Sequence, residues 1–293
     1  MKLEEIIRPS ERSEKAPETR PLELVIRPGG VLKFDLRELW SYRELFYFFA
    51  WRDIKVRYKQ TALGALWAMF APFVTVVVFT IFFNKVAHIA SPNAIPYAIF
   101  AYTGLLFWNF FAAALGSTSG SIMSNKAVIS KIYFPRLIAP FSATIVNMVD
   151  FCFAFVVYAA LFLFYGIKPG LAGVLLLVPM LALTFIAATG LGLFFGALNV
   201  RYRDVQFIVP FMISTLLFLT PVIYPITLVP ARYQWALYLN PMTGIIQTMR
   251  AGTLHQGAIP WSMLGVSIAS IAFALAFGIF YFRRQERSFA DYL

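Results

Sequence analysis

The sequence predicts an all-α integral membrane protein: six transmembrane helices, an N-terminal amphipathic interface helix, and re-entrant outer helices before the last span. Three observations predict it. Residues Ala62 to Phe282 divide into six apolar stretches separated by short polar breaks, and a span needs about 20 apolar residues. The chain of 293 residues is 60% hydrophobic with mean hydropathy +0.71, and only 13% of it is charged, about half the share of a soluble domain. Stretches such as Phe70 to Phe83 do not alternate apolar and polar residues. Lipid supplies no partners for bare backbone, so spans are helices or closed barrels. Barrel strands alternate over about ten positions, which leaves helices.

The chain divides into a cytoplasmic arm over 1–35, an interface helix over 36–60, a six-helix domain over 61–283 and a cytoplasmic tail over 284–293. The arm is polar, charged and dotted with proline, a composition that stays flexible. Met1 to Arg20 has no apolar core, so no cleavable signal peptide is expected there. From Leu36 to Gln60 the pattern changes. Arg37, Ser41, Glu44, Arg52, Lys55 and Lys59 recur at helical steps, with Tyr47, Trp51, Ile54 and Tyr58 on another side. A helix with one basic and one aromatic face suits the headgroup region; packing on a soluble partner gives the same pattern.

The six spans are expected at about Leu63–Val86, Tyr97–Leu115, Leu137–Tyr165, Leu171–Leu198, Val205–Ile223 and Trp261–Phe282. An outer loop with Pro92, Asn93 and Pro96 separates the first two, and a turn from Gly166 to Gly170 separates the third and fourth. The inner loops are Gly116–Arg136 and Asn199–Asp204. Pro225, Pro230, Pro241 and Gly244 break the outer segment Tyr224–Pro260 into pieces too short to cross. It is read as one or two re-entrant or surface helices. In the fourth span Ala188, Gly192 and Gly196 share a face, and in the sixth Ser270, Ala274 and Gly278 do. Small residues at four-residue steps let helices approach closely. Pro179 is expected to kink the fourth.

The inner segments carry 21 of the 25 Lys and Arg, against four on the other side. That asymmetry places both termini in the cytoplasm. The net charge of +11 sits beside the spans, which favours membrane lipids over nucleic acid as the partner. The single cysteine, Cys152, lies within a span, so no disulfide framework is expected.

Little catalytic chemistry is visible. No glycine precedes a lysine, so the nucleotide-binding phosphate loop is absent. Gly116-Ser-Thr-Ser-Gly120 superficially resembles a nucleophile elbow, but its centre is threonine and no strand precedes it. A flexible exit from the second span is expected instead. His88 and His255 lie apart, outside any metal-ligand spacing. Asp150 is the one carboxylate well inside a span. It is either a proton-relay group or an acid bonded at a helix interface. The chain has 31 Phe, 14 Tyr and 6 Trp, read either as lipid-facing belts or as the lining of a passage along which sugar rings slide.

The run Arg52-Asp-Ile-Lys-Val-Arg-Tyr-Lys-Gln-Thr-Ala-Leu-Gly-Ala-Leu-Trp67, with Tyr133-Phe-Pro-Arg136, Tyr202-Arg-Asp-Val205 and Asn240-Pro-Met242, resembles the polysaccharide-exporting permeases of the ABC-2 type. The resemblance runs in order from about residue 20 to the end. It implies a homodimeric permease paired with two ATP-binding subunits, moving lipid-linked polysaccharide such as O-antigen, capsule or teichoic acid across the bacterial inner membrane. ATP and Mg would belong to the partner, with no cofactor or metal on this chain. The first inner loop would be a coupling helix capped by Ser124, flanked by Lys126 and Lys131 and closed by Pro135 and Arg136. Arg201, Arg203 and Asp204 would form the second contact. Arg52, Lys55, Arg57 and Lys59 would receive an anionic lipid head. Trp67, Phe70, Phe73, Phe218 and Tyr224 are candidate passage aromatics. Two other readings compete. An ion-coupled secondary transporter would use Asp150, and a membrane-embedded glycosyltransferase would need clustered acids or histidines, which the loops lack.

Overall fold

The computed structural model describes residues 40–59, 65–86, 95–132 and 134–289. The arm over 1–35, the outer loop with Pro92 and Asn93, His88 and Tyr133 lie outside the described residues. Within them the protein is helical with no strand. The helices are α1 (Arg43–Lys59), α2 (Ala65–Phe79), α3 (Tyr97–Ser124), α4 (Lys126–Ile129), α5 (Ile138–Tyr165), α6 (Leu171–Arg201), α7 (Val205–Leu219), α8 (Ala231–Tyr238), α9 (Pro241–Leu254) and α10 (Trp261–Glu286). A π-helical segment, Thr80–Val86, extends α2.

Four helices, α3, α5, α6 and α10, are long and apolar enough to cross a membrane. Their 26 to 31 residues span about 40 Å at 1.5 Å per residue. The apolar parts of α2 and α7 are shorter, Met69–Phe83 and Val205–Leu219. α7 stops four residues before its expected end. Pro221 drives the preceding Thr220 out of the helical region, to φ −93° and ψ 138°.

α3 is the central helix. Its most apolar window is 83% buried, against 22–28% for α5, α6 and α10. It packs along α5 and α6 and also touches α9, α2 and α7, while α10 lies on the far side of α6. The expected end of this span at Leu115 is corrected: the helix runs on to Ser124. The Gly116–Gly120 run is therefore helix, not a flexible exit. Ser117, Ser119, Ser121 and Ser124 donate back to carbonyls three or four residues earlier, so the polar run satisfies itself within the helix. A hydroxyl ladder ties three helices together: Thr118 to Thr144 at 2.8 Å and Thr144 to Thr189 at 3.1 Å. Such interhelical bonds contribute about 0.6 kcal/mol each within membranes.

The small-residue faces do pack. A Cβ on Gly192 would lie 2.6 Å from Thr118 Cβ, so this face meets α3. Gly278 of α10 meets the carbonyl of Gly190, and a Cβ on Gly190 would stand 2.7 Å from Leu275 Cα. The α6–α10 crossing therefore uses the expected Gly278 on α10, but meets Gly190 on α6, one face round from Ala188, Gly192 and Gly196. α6 continues through Pro179 without interruption.

Turns form where glycine and proline predict them. Gly166 ends α5 at φ 64°, with Gly166 and Ile167 amides bonded to Leu163 and Phe162 carbonyls, a left-handed helix stop. The outer segment holds two short helices, as expected. The Asn240 side chain accepts from the Met242 amide at 3.0 Å, with Pro241 at the first turn of α9, a sound amino-terminal cap.

Candidate functional site

The α3–α5 and α6–α7 connections lie at one end of the helices. α4 is a single turn whose Ile129 is buried, while Lys126 and Lys131 are exposed. Ser124 does not cap it. Its hydroxyl donates to the Gly120 carbonyl, and the capping position belongs to Asn125. The reason is the extension of α3, which carries Ser124 into its own last turn. Arg201, Arg203 and Asp204 are exposed at the α6–α7 turn, with the Arg201 guanidinium 5.3 Å from the Tyr202 ring. Ile129, Phe134 and Val200 share one apolar cluster, which brings the two inner loops together. Arg136 differs from the other loop cations: it is half-buried and bonded to Glu286.

α1 packs along α5. Phe49 sits 5.5 Å from the Phe134 ring, and Tyr58, farther along, lies 5.9 Å from Phe153. The expected basic face is divided. Lys55 and Lys59 are exposed, and the Lys55 ammonium stands 5.2 Å from the Trp51 ring. Arg52 is engaged, donating to Asp53 at 2.8 Å and to Asn125 at 2.6 Å. Arg57 donates to Asp150 and, at 3.2 Å, to Asn147. Between α1, α3 and α5 lies a cleft of about 640 Å³, bordered by Arg52, Asp53, Arg57 and Asn125 and by the apolar Val56 and Val146.

Asp150 meets a cation and a phenol, not a chain of acids. Arg57 donates to one carboxylate oxygen and Tyr58 to the other. Burial, reinforced by the carboxylate, pushes the Tyr58 hydroxyl well above its ordinary pKa, so the phenol keeps its proton and remains a donor. Asn147 continues the network to Ser117 of α3 at 2.7 Å. This arrangement is that of an acid bonded at a helix interface.

The aromatic candidates fall into two groups. Trp67, Phe70 and Phe73 are 57%, 53% and 47% exposed on α2, and Phe218 on α7 is 63% exposed. The Trp67 and Phe70 rings lie 5.7 Å apart with their planes tilted by 36°. Tyr224 donates to the Phe218 carbonyl at 3.1 Å. Both helices flank α3, but no ring contact joins the groups among the described residues.

Sequence reasoning missed Arg250, counted above as an outer charge. It is fully buried, 0% exposed. Its guanidinium donates to the carbonyls of Phe100 at 3.2 Å, Pro221 at 2.7 Å and Val222, and lies 3.7 Å from the Phe100 ring. Gly104 makes room, since a Cβ there would fall 2.6 Å from Val222 O. The available signal was its setting, between Ile245, Ile246, Met249 and Leu254 on one short helix.

Among the described residues no group of three or more His, Cys, Asp or Glu side chains could hold a metal. The fold and this surface define a class: a multi-pass helical membrane protein with apolar helices, exposed charged loops at one end and a segment of short helices before the last long helix. The membrane-domain model of the ABC-2 type transporters matches residues 44–254, from the first turn of α1 to the last residue of α9. The chain is 30% identical over 257 residues to the O-antigen export system permease protein RfbA of Myxococcus xanthus, covering 86% of this chain and 96% of that protein. It is 27% identical over 243 residues to the protein of the same name from Klebsiella pneumoniae, covering 83% and 92%. Its identity to the polysialic acid transport protein KpsM of Escherichia coli is 23% over 210 residues, covering 69% and 78%. The chain belongs to the ABC-2 type transporter family, as a membrane component without an ATPase domain.

Proposed function

We propose that this chain is the transmembrane permease of an ATP-driven exporter that moves lipid-linked polysaccharide, of O-antigen, capsule or teichoic acid type, across a bacterial inner membrane. The observation that carries the reading is the family match over α1 to α9 together with relatives named for O-antigen and polysialic acid export. The polypeptide crosses six times, with α2 and α7 completing the four long helices, α8 and α9 re-entrant from outside, and both termini cytoplasmic. The lysine and arginine asymmetry supports that orientation.

Two such chains pair as a homodimer, and two ATP-binding subunits dock beneath them. ATP and Mg reside in those subunits. Lys126 and Lys131 on one loop and Arg201, Arg203 and Asp204 on the other receive the docked motor. Their exposure, above a shared apolar cluster, supports the role. The headgroup of the lipid carrier approaches α1, where Lys55 and Lys59 are exposed and Arg52 and Arg57 border the cleft. A phosphate gains from several basic donors at one surface. The exposed rings of α2 and of the α7 end would face the sugar chain across the dimer.

The test is copurification with candidate ATP-binding subunits, followed by ATPase measurement with and without the lipid-linked glycan. Stable assembly and glycan-stimulated hydrolysis are expected. A chain that binds no such subunit contradicts the reading. Labelling of a cysteine at position 284 from the cytoplasmic side checks the orientation separately.

A further inference from the structure

The last described residues, 283–289, do not form a solvated tail. α10 continues to Glu286, and the chain then folds back far enough to bury Phe289, which is 1% exposed. Its ring packs edge-on against Phe282, with centroids 5.3 Å apart and planes at 88°. Arg136, at the end of the first inner loop, closes the other side. Its guanidinium lies 5.6 Å from the Phe289 centroid. Its Nη1 donates to the Glu286 carbonyl, and its backbone N–H donates to a Glu286 carboxylate oxygen at 3.3 Å. Loop and tail thus hold each other by three contacts of different kinds.

The same cluster gathers Phe49 of α1, Ile129 and Phe134 of the loop, Val200 of α6 and Phe282 of α10. α4 is one turn of four residues, too short to hold its own shape. Lys126, Ser130, Lys131 and Ile132 are exposed, so the loop is held mainly through Ile129, Phe134 and Arg136. One of those three holds is made by the tail. Mechanical coupling needs packed elements without slack between them.

We infer that the Glu286–Phe289 tail is a strut that positions the first inner loop against α10, so that movement imposed on the loop is passed to the membrane helices. Glu286 and Phe289 are positioning residues for coupling ATP hydrolysis to transport, and touch neither glycan nor nucleotide. The inference rests on the exporter reading. Without the strut the motor still docks, but its stroke is absorbed in the loop.

The test uses the full chain with its ATP-binding subunit in proteoliposomes carrying lipid-linked glycan. Two quantities are read: motor affinity, and glycan exported per ATP hydrolysed. Phe289→Ala is expected to leave affinity unchanged and to lower export per ATP about tenfold, within the range of site-to-site couplings. Phe289→Leu, which refills most of the space, should restore most of it. If Phe289→Ala does not assemble, Glu286→Ala replaces it, since it removes the side-chain acceptor for the Arg136 amide while keeping the aromatic core. A fully coupled Phe289→Ala or Glu286→Ala chain overturns the inference. So does a loss of motor affinity that accounts for the whole loss of export, because the tail would then be part of the docking surface. A wild-type chain that couples to no motor sinks the exporter reading itself, which separates the two failures.

Discussion

Replacing Arg250 with methionine tests whether the packing of α9 against α3 and the break after α7 is organised around one buried cation. Two of its three acceptors, Pro221 and Val222, lie in the break after α7, outside any helical ladder. Leaving their two carbonyls unpaired costs about 1–3 kcal/mol each. The contact with the Phe100 ring at 3.7 Å contributes about 2 kcal/mol when desolvated. Against this, methionine removes a buried charge with no ion-paired carboxylate among the described residues. That relief is worth about 3 kcal/mol on membrane-insertion scales. The balance is a net loss of about 3 kcal/mol. Lysine is no rescue, because a single ammonium does not reproduce a fork that reaches three fixed carbonyls. The assay is unfolding of the purified protein in detergent, with hydrogen exchange of the Val222–Tyr224 amides as the local readout. Both variants should unfold earlier, and those amides should exchange faster. An Arg250→Met protein as stable as the parent, with unchanged exchange, would refute the reasoning.

Asp150→Asn should reduce stability by about 1 kcal/mol at most, because the Arg57–Asp150 pair is partly exposed at 38% and 33%. Export should survive and stay insensitive to protonophores. Export that is lost with the fold intact would revive the ion-coupled reading. Gly278→Ala puts a methyl against the Gly190 carbonyl and should destabilise by about 1–3 kcal/mol in the same unfolding assay. Gly265→Ala on the same helix meets open space, so it is the control and should be neutral or stabilising; equal effects of the two would discount the crossing. Alanine at both Lys126 and Lys131 removes two exposed charge contacts of about 0.2–1 kcal/mol each. Motor affinity measured by titration should fall about two- to thirtyfold, and unchanged affinity would take the first inner loop out of the docking surface.

Much of the helical framework was legible because lipid leaves the backbone few options. Length and apolarity marked α3, α5, α6 and α10, the Gly166–Gly170 turn marked the end of α5, and Pro241 marked the break before α9. Three features escaped for physical reasons. The Gly116–Ser124 run has loop composition, yet its hydroxyls bond within the helix and Thr118, Ser119, Ser121 and Ile122 are buried; tertiary packing overrode local preference. Arg250 was counted as a surface charge because charge counting cannot see backbone carbonyls brought from α3 and the α7 break. Phe289 sits among charged residues in a short tail, so nothing in the local pattern announces a partner in Phe282 or Arg136. Asp150 was recognised as unusual, but its partners Arg57 and Tyr58 lie on α1, far earlier in the chain, where no local pattern pairs them with it.

The most direct measurement is glycan transfer across a defined bilayer. The chain and its ATP-binding subunits are reconstituted together in sealed vesicles with lipid-linked polysaccharide, and glycan on the far leaflet is scored with an impermeant enzyme or lectin. Transfer should require both proteins and hydrolysable ATP, and should stop with a non-hydrolysable analogue. Transfer by this chain alone under an ion gradient, or none with the motor bound and turning over, would contradict a permease driven by a separate ATPase.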